Sequence, residues 1–440
     1  MSKAKLLTGM KGFTLIWFGQ VISQLGTAMT RFTLTIWTYT ITQQVTATAL
    51  VLFCSFMPSI LLSPIAGALV DRCHRKLILF ISDLGAGLGT ICLLILYATN
   101  TLEVKHLYLT TAITSIFESF QFPAYYAAVS LMLSKAQYSR ASGMLSLWES
   151  ISGVFAPLLA GFLFAVIGIK GIMTIDIFTF LIAISALLFI HIPQPEKTGV
   201  EKVSSVSLWQ DSIYGFRYIF KRPSFSGLVL IFFTINVTFG FYMALFAPMI
   251  LARTNNNQLI FGSVCSAFGI GGIAGGLLMG YWGGPRRKIH GVLLGIAFTS
   301  LLGTMLMGLG QNLPVWATAA FFTKFFPPII YGCNQAIWQA KVSPDLQGRV
   351  FGVQRQIGEI TMPLAIIIAG PLTDYIFEPA MQPGGSIVLI FGGIIGIGPG
   401  AGMGLVLFIL GLLGILIGLS GYLFKIIKNA EDILPDHNIM

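Results

Sequence analysis

Charge is what this chain has least of. Only 10% of its 440 residues are charged, 55% are hydrophobic, and the mean hydropathy is +0.84. A water-soluble fold cannot bury that much apolar surface, so a polytopic membrane protein is implied. Cysteine and histidine are sparse too. The five of each are scattered, with no Cys-x-x-Cys and no Cys/His cluster, which removes a disulfide framework and a metal centre. No Gly-x-x-x-x-Gly-Lys-Ser/Thr phosphate loop occurs, so ATP hydrolysis by this chain is not expected, and no cofactor is called for. The net charge of +10 does not mark a nucleic-acid binder. Lys and Arg stand in short clusters between apolar runs rather than along one face.

What is there is a series of apolar runs. Twelve spans are expected, at about 13–38, 47–70, 77–99, 106–132, 142–168, 171–191, 224–251, 260–282, 289–310, 313–340, 350–377 and 401–424. Lys3, Lys5 and Lys11 precede the first run as in a secretory signal. The run is too long for one and has no small-x-small cleavage site, so it reads as an uncleaved first span. With the N-terminus inside, 20 of the 26 cations fall in inner segments and 3 in outer ones. That asymmetry predicts both termini on the cytoplasmic side.

Residues 192–223 form one long polar linker. Within it Trp209, Ile213, Phe216 and Phe220 are spaced to share one helical face, as in a short amphipathic helix on the membrane surface or against the bundle. The expected domains are therefore a six-helix bundle over 1–191, the linker, and a second bundle with a short tail over 224–440. An offset of 209 residues supports two related halves. It carries Gly67 to Gly276, Arg140 to Arg349, Gly143 to Gly352 and Gly161 to Gly370. Parallel halves with a site between them are a transporter plan. The last apolar stretch, 386–424, is too long for one span, and the glycines of 396–404 break it. It reads as an outer hairpin or lid followed by the twelfth span, or as one tilted, broken helix.

Between the second and third runs lies a short polar loop with Gly67, Asp71, Arg72, Arg75 and Lys76. A Gly, then Asp-Arg four positions on, then a basic pair resembles the signature loop of the major facilitator superfamily. Gly153, Pro157 and Gly161 in the fifth span resemble that superfamily's exporter motif, with Ala156 where Gly usually precedes Pro. Three more stretches resemble its macrolide-efflux and enterobactin-exporter branch: 24–32 with Gln24 and Arg31, 120–125 with Pro123, and 348–351 with Gly348 and Arg349. The resemblance implies an all-α membrane protein with twelve transmembrane helices in two six-helix bundles. It also implies that Asp71 closes the inner gate by meeting the start of the eleventh span. There Arg349 would add its charge to the helix N-terminus.

Charges inside spans are costly and point to function. Glu118 and Lys324 lie near the middles of the fourth and tenth spans, which line the central cavity in this superfamily. Arg31, in the first span, should lie within about two turns of Glu118 in depth. Glu149 and Glu359 sit in the inner halves of the fifth and eleventh spans, and Asp176 one turn inside the outer end of the sixth. Read functionally, Glu118 takes and releases a proton. Read structurally, Arg31 and Glu118 are a fixed ion pair, and Asp176 and Glu149 snorkel or cap helix ends. Gln121, Phe122, Tyr125, Asn334, Gln335 and Trp338 combine apolar rings with a few hydrogen-bonding groups, as a bulky amphiphilic ligand requires. The expected function is export of a drug, macrolide, siderophore or peptide-like metabolite across the cell inner membrane by proton antiport. An importer of the same fold is the alternative. An integral membrane enzyme or a channel is less favoured, since no catalytic cluster or filter segment is seen.

Overall fold

The structure is a computed structural model that describes residues 9–72, 74–133, 137–192, 216–342 and 344–433. Its regular elements are helices. The first five are α1 (Gly9–Thr42), α2 (Val45–Arg72), α3 (Arg75–Ala98), α4 (Val104–Met132) and α5 (Tyr138–Leu188). Then come α6 (Pro223–Arg253) and α7 (Gln258–Trp282). The next helix, α8 (Lys288–Phe298), continues through a π-helical stretch, Thr299–Met305, into Leu306–Leu309. It is followed by α9 (Leu313–Phe325), α10 (Pro327–Lys341) and α11 (Pro344–Leu372), the last running on through Thr373–Phe377 and Glu378–Ala380. A short α12 (Val388–Ile395) precedes α13 (Ala401–Ser420).

Local chemistry sets the breaks. Within α5 the backbone turns at Gly168, with φ 64° and ψ −172°, a conformation that costs a residue with a side chain much more. That turn separates the fifth crossing from the sixth. Helix α10 opens on Pro327 and Pro328, which lack the N–H needed to continue the ladder from α9. Asn312 starts α9 by accepting the backbone N–H of Val315 at 3.1 Å.

Among the described residues, nine helices are long and apolar enough to cross a membrane. One of the nine, Ser152–Leu188, holds both arms of α5. Helices α1 and α4, 34 and 29 residues long, also exceed the span of about 20 residues, although Arg31 and Glu118 lower their hydropathy. Together these account for twelve crossings. Large apolar side chains such as Phe162, Val166 and Leu277 stay exposed along them, where hydrocarbon rather than water must cover them.

The chain divides into two compact units, Met1–Lys197 with Asn256–Ser266, and Thr198–Asn255 with Ala267–Met440, so that α7 begins in the first and ends in the second. The first unit is held by one cluster around Phe13, Leu79, Tyr125 and Ile190, and another around Leu34, Leu93, Leu107 and Met173. The second unit's main cluster gathers Phe225, Leu228, Val292, Trp338 and Val350. The linker is described only from residue 216, where Phe216 and Phe220 stack with centroids 6.3 Å apart. Trp209 and Ile213 lie outside the described residues.

Candidate functional site

In the first unit, polar side chains from α1, α3, α4 and the second arm of α5 converge on one column. Arg31 of α1 donates through Nη2 to Glu118 Oε1 of α4, and the pair is part exposed, at 46% and 25% of the two side chains. Deeper in, Asp83 of α3 is only 5% exposed. Its Oδ2 accepts the amide of Gln20 at 2.6 Å and its Oδ1 accepts that of Gln121 at 2.7 Å. Gln121 also donates to Gln20 Oε1 at 3.1 Å, which closes a three-residue ring. Asp176, on α5, is 2% exposed and accepts the hydroxyls of Thr27 at 3.1 Å and Thr90 at 2.9 Å. A cavity of about 20 Å³ lies among Asp83, Glu118, Gln121 and Asp176. That is room for about one water molecule.

The second unit holds a much larger cavity, about 710 Å³, between α6, α10 and α11. Phe239 and Tyr331 supply apolar walls, Asn236 and Gln335 supply amides, and Glu359 supplies a carboxylate. Its floor is fixed by Trp338, which is fully buried and stacked on Phe225 with centroids 4.3 Å apart. The indole N–H of Trp338 donates to Asn334 Oδ1 at 3.1 Å, so both residues are tied into the floor. A neighbouring cavity of about 100 Å³ shares Tyr331 and Phe239 and reaches Lys324. The ammonium of Lys324 stands 5.0 Å from the Phe268 ring centroid and 5.3 Å from that of Phe239, within cation–π range.

A family model described as Major Facilitator Superfamily matches residues 16–366, well over half of the chain. The chain belongs to the Major Facilitator Superfamily. Among known relatives, macrolide efflux protein A of Streptococcus pyogenes is 25% identical over 367 residues, covering 83% of this chain and 90% of that protein. The multidrug efflux pump Tap of Mycolicibacterium fortuitum is 26% identical over 340 residues, covering 72% and 78%. The crystal structure of the nucleoside transporter NupG has a TM-score of 0.68 at 12% identity, over 93% of this chain and 98% of that one. An inward-facing bacterial homologue of the human lysosomal transporter Spinster scores 0.67 at 14% identity, over 98% and 100%. These structures show the fold: an all-α membrane protein with the superfamily's twelve transmembrane helices in two six-helix bundles. The chain is a multi-pass membrane transporter.

The superfamily's signature residues are placed unevenly. Lys76 donates to the carbonyls of Leu188 at 3.1 Å and Ile190 at 2.6 Å, so it holds the end of α5 with a cation where the helix dipole favours one. Arg75 opens α3. The side chains of Asp71, Arg72, Arg349, Glu149 and Phe122, and the surroundings of Gly67, lie outside the described residues. In the exporter motif, a side chain on Gly161 would stand 2.9 Å from the carbonyl oxygen of Gln258. One on Gly262 would stand 2.7 Å from that of Pro157, so α5 and the start of α7 meet backbone to backbone. Ser266 adds a hydrogen bond to the Val154 carbonyl at 3.0 Å, whereas Gly153 faces open space. Tyr125 belongs to the core, with its ring 6.3 Å from that of Phe13.

Two arrangements escaped the sequence reading. The first is the Gln20–Asp83–Gln121 ring. Its signal in the sequence is a carboxylate, Asp83, within the apolar run 77–99. The second is a clamp around the glycine-rich segment 396–404. Arg253 donates to the carbonyls of Gly310, Ile395 and Gly400. Glu378 accepts the N–H groups of Gly400 at 2.6 Å and Met403 at 3.3 Å, at the start of α13. The pair of charges at two helix ends was its signal.

Proposed function

We propose that this transporter exports bulky amphiphilic small molecules across the cell inner membrane, exchanging them for protons by alternating access. The 710 Å³ cavity carries the reading. Its aromatic walls, few amides and single wall carboxylate suit a large apolar ligand with scattered polar groups better than a compact sugar or ion. The buried carboxylates of the first unit supply groups able to bind a proton inside the membrane. The relatives named for macrolide and multidrug efflux support the outward direction. The cation asymmetry supports cytoplasmic termini. The offset repeat supports two halves, 1–191 and 224–440, that rock about the 192–223 linker.

Inside-out membrane vesicles test this. Their lumen corresponds to the outside of the cell and acidifies when respiration is started. The chain should then drive accumulation of a radiolabelled macrolide, and a proton–potassium ionophore should collapse it. Macrolide that leaves preloaded vesicles faster on energisation would instead indicate import.

A further inference from the structure

We propose that Asp83 is the group that binds and releases the coupled proton, held in place for that exchange by Gln20 and Gln121. The proposal rests on the proton exchange proposed above.

Three carboxylates line the small cavity of the first unit, and their partners differ. Glu118 is paired with the cation Arg31, and Asp176 with the hydroxyls of Thr27 and Thr90. Asp83 forms no ion pair among the described residues. Among the described residues its partners are two neutral amides, and Lys76 of the same helix is occupied by the carbonyls of Leu188 and Ile190. The groups facing it across the cavity are Ser23, Gln24 and Thr27 from α1, Thr90 from α3, Glu118 from α4 and Asp176 from α5. Of these only Glu118 and Asp176 titrate, and both are anions when ionised.

The amide ring suits a carboxyl that changes charge. A glutamine amide carries both a donor N–H₂ and an acceptor oxygen. With Asp83 ionised, both amides present N–H, as seen here. With Asp83 protonated, a half-turn of one amide presents its oxygen to the new O–H. Both charge states are then satisfied without moving a helix. The step needs only water. A hydronium in the cavity gives its proton to Asp83, one O–H bond breaks as another forms, and the carboxylate becomes neutral. The part-exposed Arg31–Glu118 pair marks the open end of the route.

The test is infrared spectroscopy of the full chain in liposomes as pH is varied. The wild type should show a carboxylic C=O band that grows as pH falls. Asp83→Asn should lose that band, Asp83→Glu should restore a shifted one, and Glu118→Gln should keep the Asp83 band. Gln121→Leu, which keeps the carboxyl but removes a donor, should move the midpoint of the titration. If Asp83→Asn keeps every titrating C=O band of the wild type, the proposal is overturned. Transport in the same liposomes separates it from the broader reading. Asp83→Asn should lose macrolide accumulation driven by a pH gradient by tenfold or more, while exchange at equal macrolide concentrations persists. A wild type that titrates at Asp83 but never accumulates macrolide on a pH gradient would remove the antiport reading and leave the proton site standing.

Discussion

Trp338 lies on Phe225 with ring centroids 4.3 Å apart and planes 17° from parallel. That stack turns one end of α10 into the floor of the large cavity and leaves Tyr331, two turns earlier and half exposed, as its wall. The two positions should respond differently to substitution. Tyr331→Ala should weaken macrolide binding about tenfold, or ~1.4 kcal/mol, without changing the melting temperature. Asn334→Val removes the acceptor of the buried indole N–H and should cost about 1–3 kcal/mol of stability. Tryptophan-fluorescence titration and thermal unfolding in detergent read the two effects.

Glu118→Gln leaves Arg31 opposite a neutral amide. Because the pair is part exposed, the stability cost should be no more than about 1 kcal/mol. Accumulation driven by a pH gradient should nevertheless fall severalfold, since the route from solvent to Asp83 loses its ionisable entrance. Vesicle uptake at matched expression measures this. Full gradient-driven uptake by the variant would make the pair structural.

Gly262→Leu should prevent α7 from seating on α5. The added side chain would enter the space of the Pro157 carbonyl, and relieving that clash should cost about 1–3 kcal/mol. Gly153→Leu, on the same motif but facing open space, should be tolerated. The difference in melting temperature between the two variants checks the assignment.

Arg253→Met removes donors from the carbonyls of Gly310, Ile395 and Gly400. The expected loss is about 1–3 kcal/mol, the cost of leaving such acceptors unsatisfied. Adding Glu378→Gln should destabilise by less than the two single changes together, because both act on segment 396–404. A thermal double-mutant cycle gives the coupling. Strict additivity would mean that the two side chains hold the segment independently.

Much of the helical framework was legible in the sequence, because length, apolar runs and breakers act locally. Gly168 marks the turn between the fifth and sixth crossings as the run boundaries suggested, and the proline pair after Phe326 kinks the tenth. Arg31 pairs with Glu118 as their depths in α1 and α4 imply, since rise along a helix is fixed. What stayed hidden depends on partners far apart in the chain. Asp83 meets Gln20 from 63 residues away and Gln121 from 38. Lys76 and Arg253 bind backbone carbonyls, which carry no side-chain signature. Trp338 and Gln335 share one helix, and the rings of Phe225 and Phe351, on other helices, cover the indole while the amide stays open to the cavity.

The most direct test of proton antiport is the proton movement itself. Proteoliposomes containing the purified chain, loaded with a pH-sensitive dye and made acidic inside, receive a macrolide on the outside. Antiport predicts that the lumen becomes more alkaline as the macrolide enters, with a rate that saturates with macrolide concentration and vanishes in Asp83→Asn. Macrolide entry at the same rate with no change in lumenal pH would contradict it.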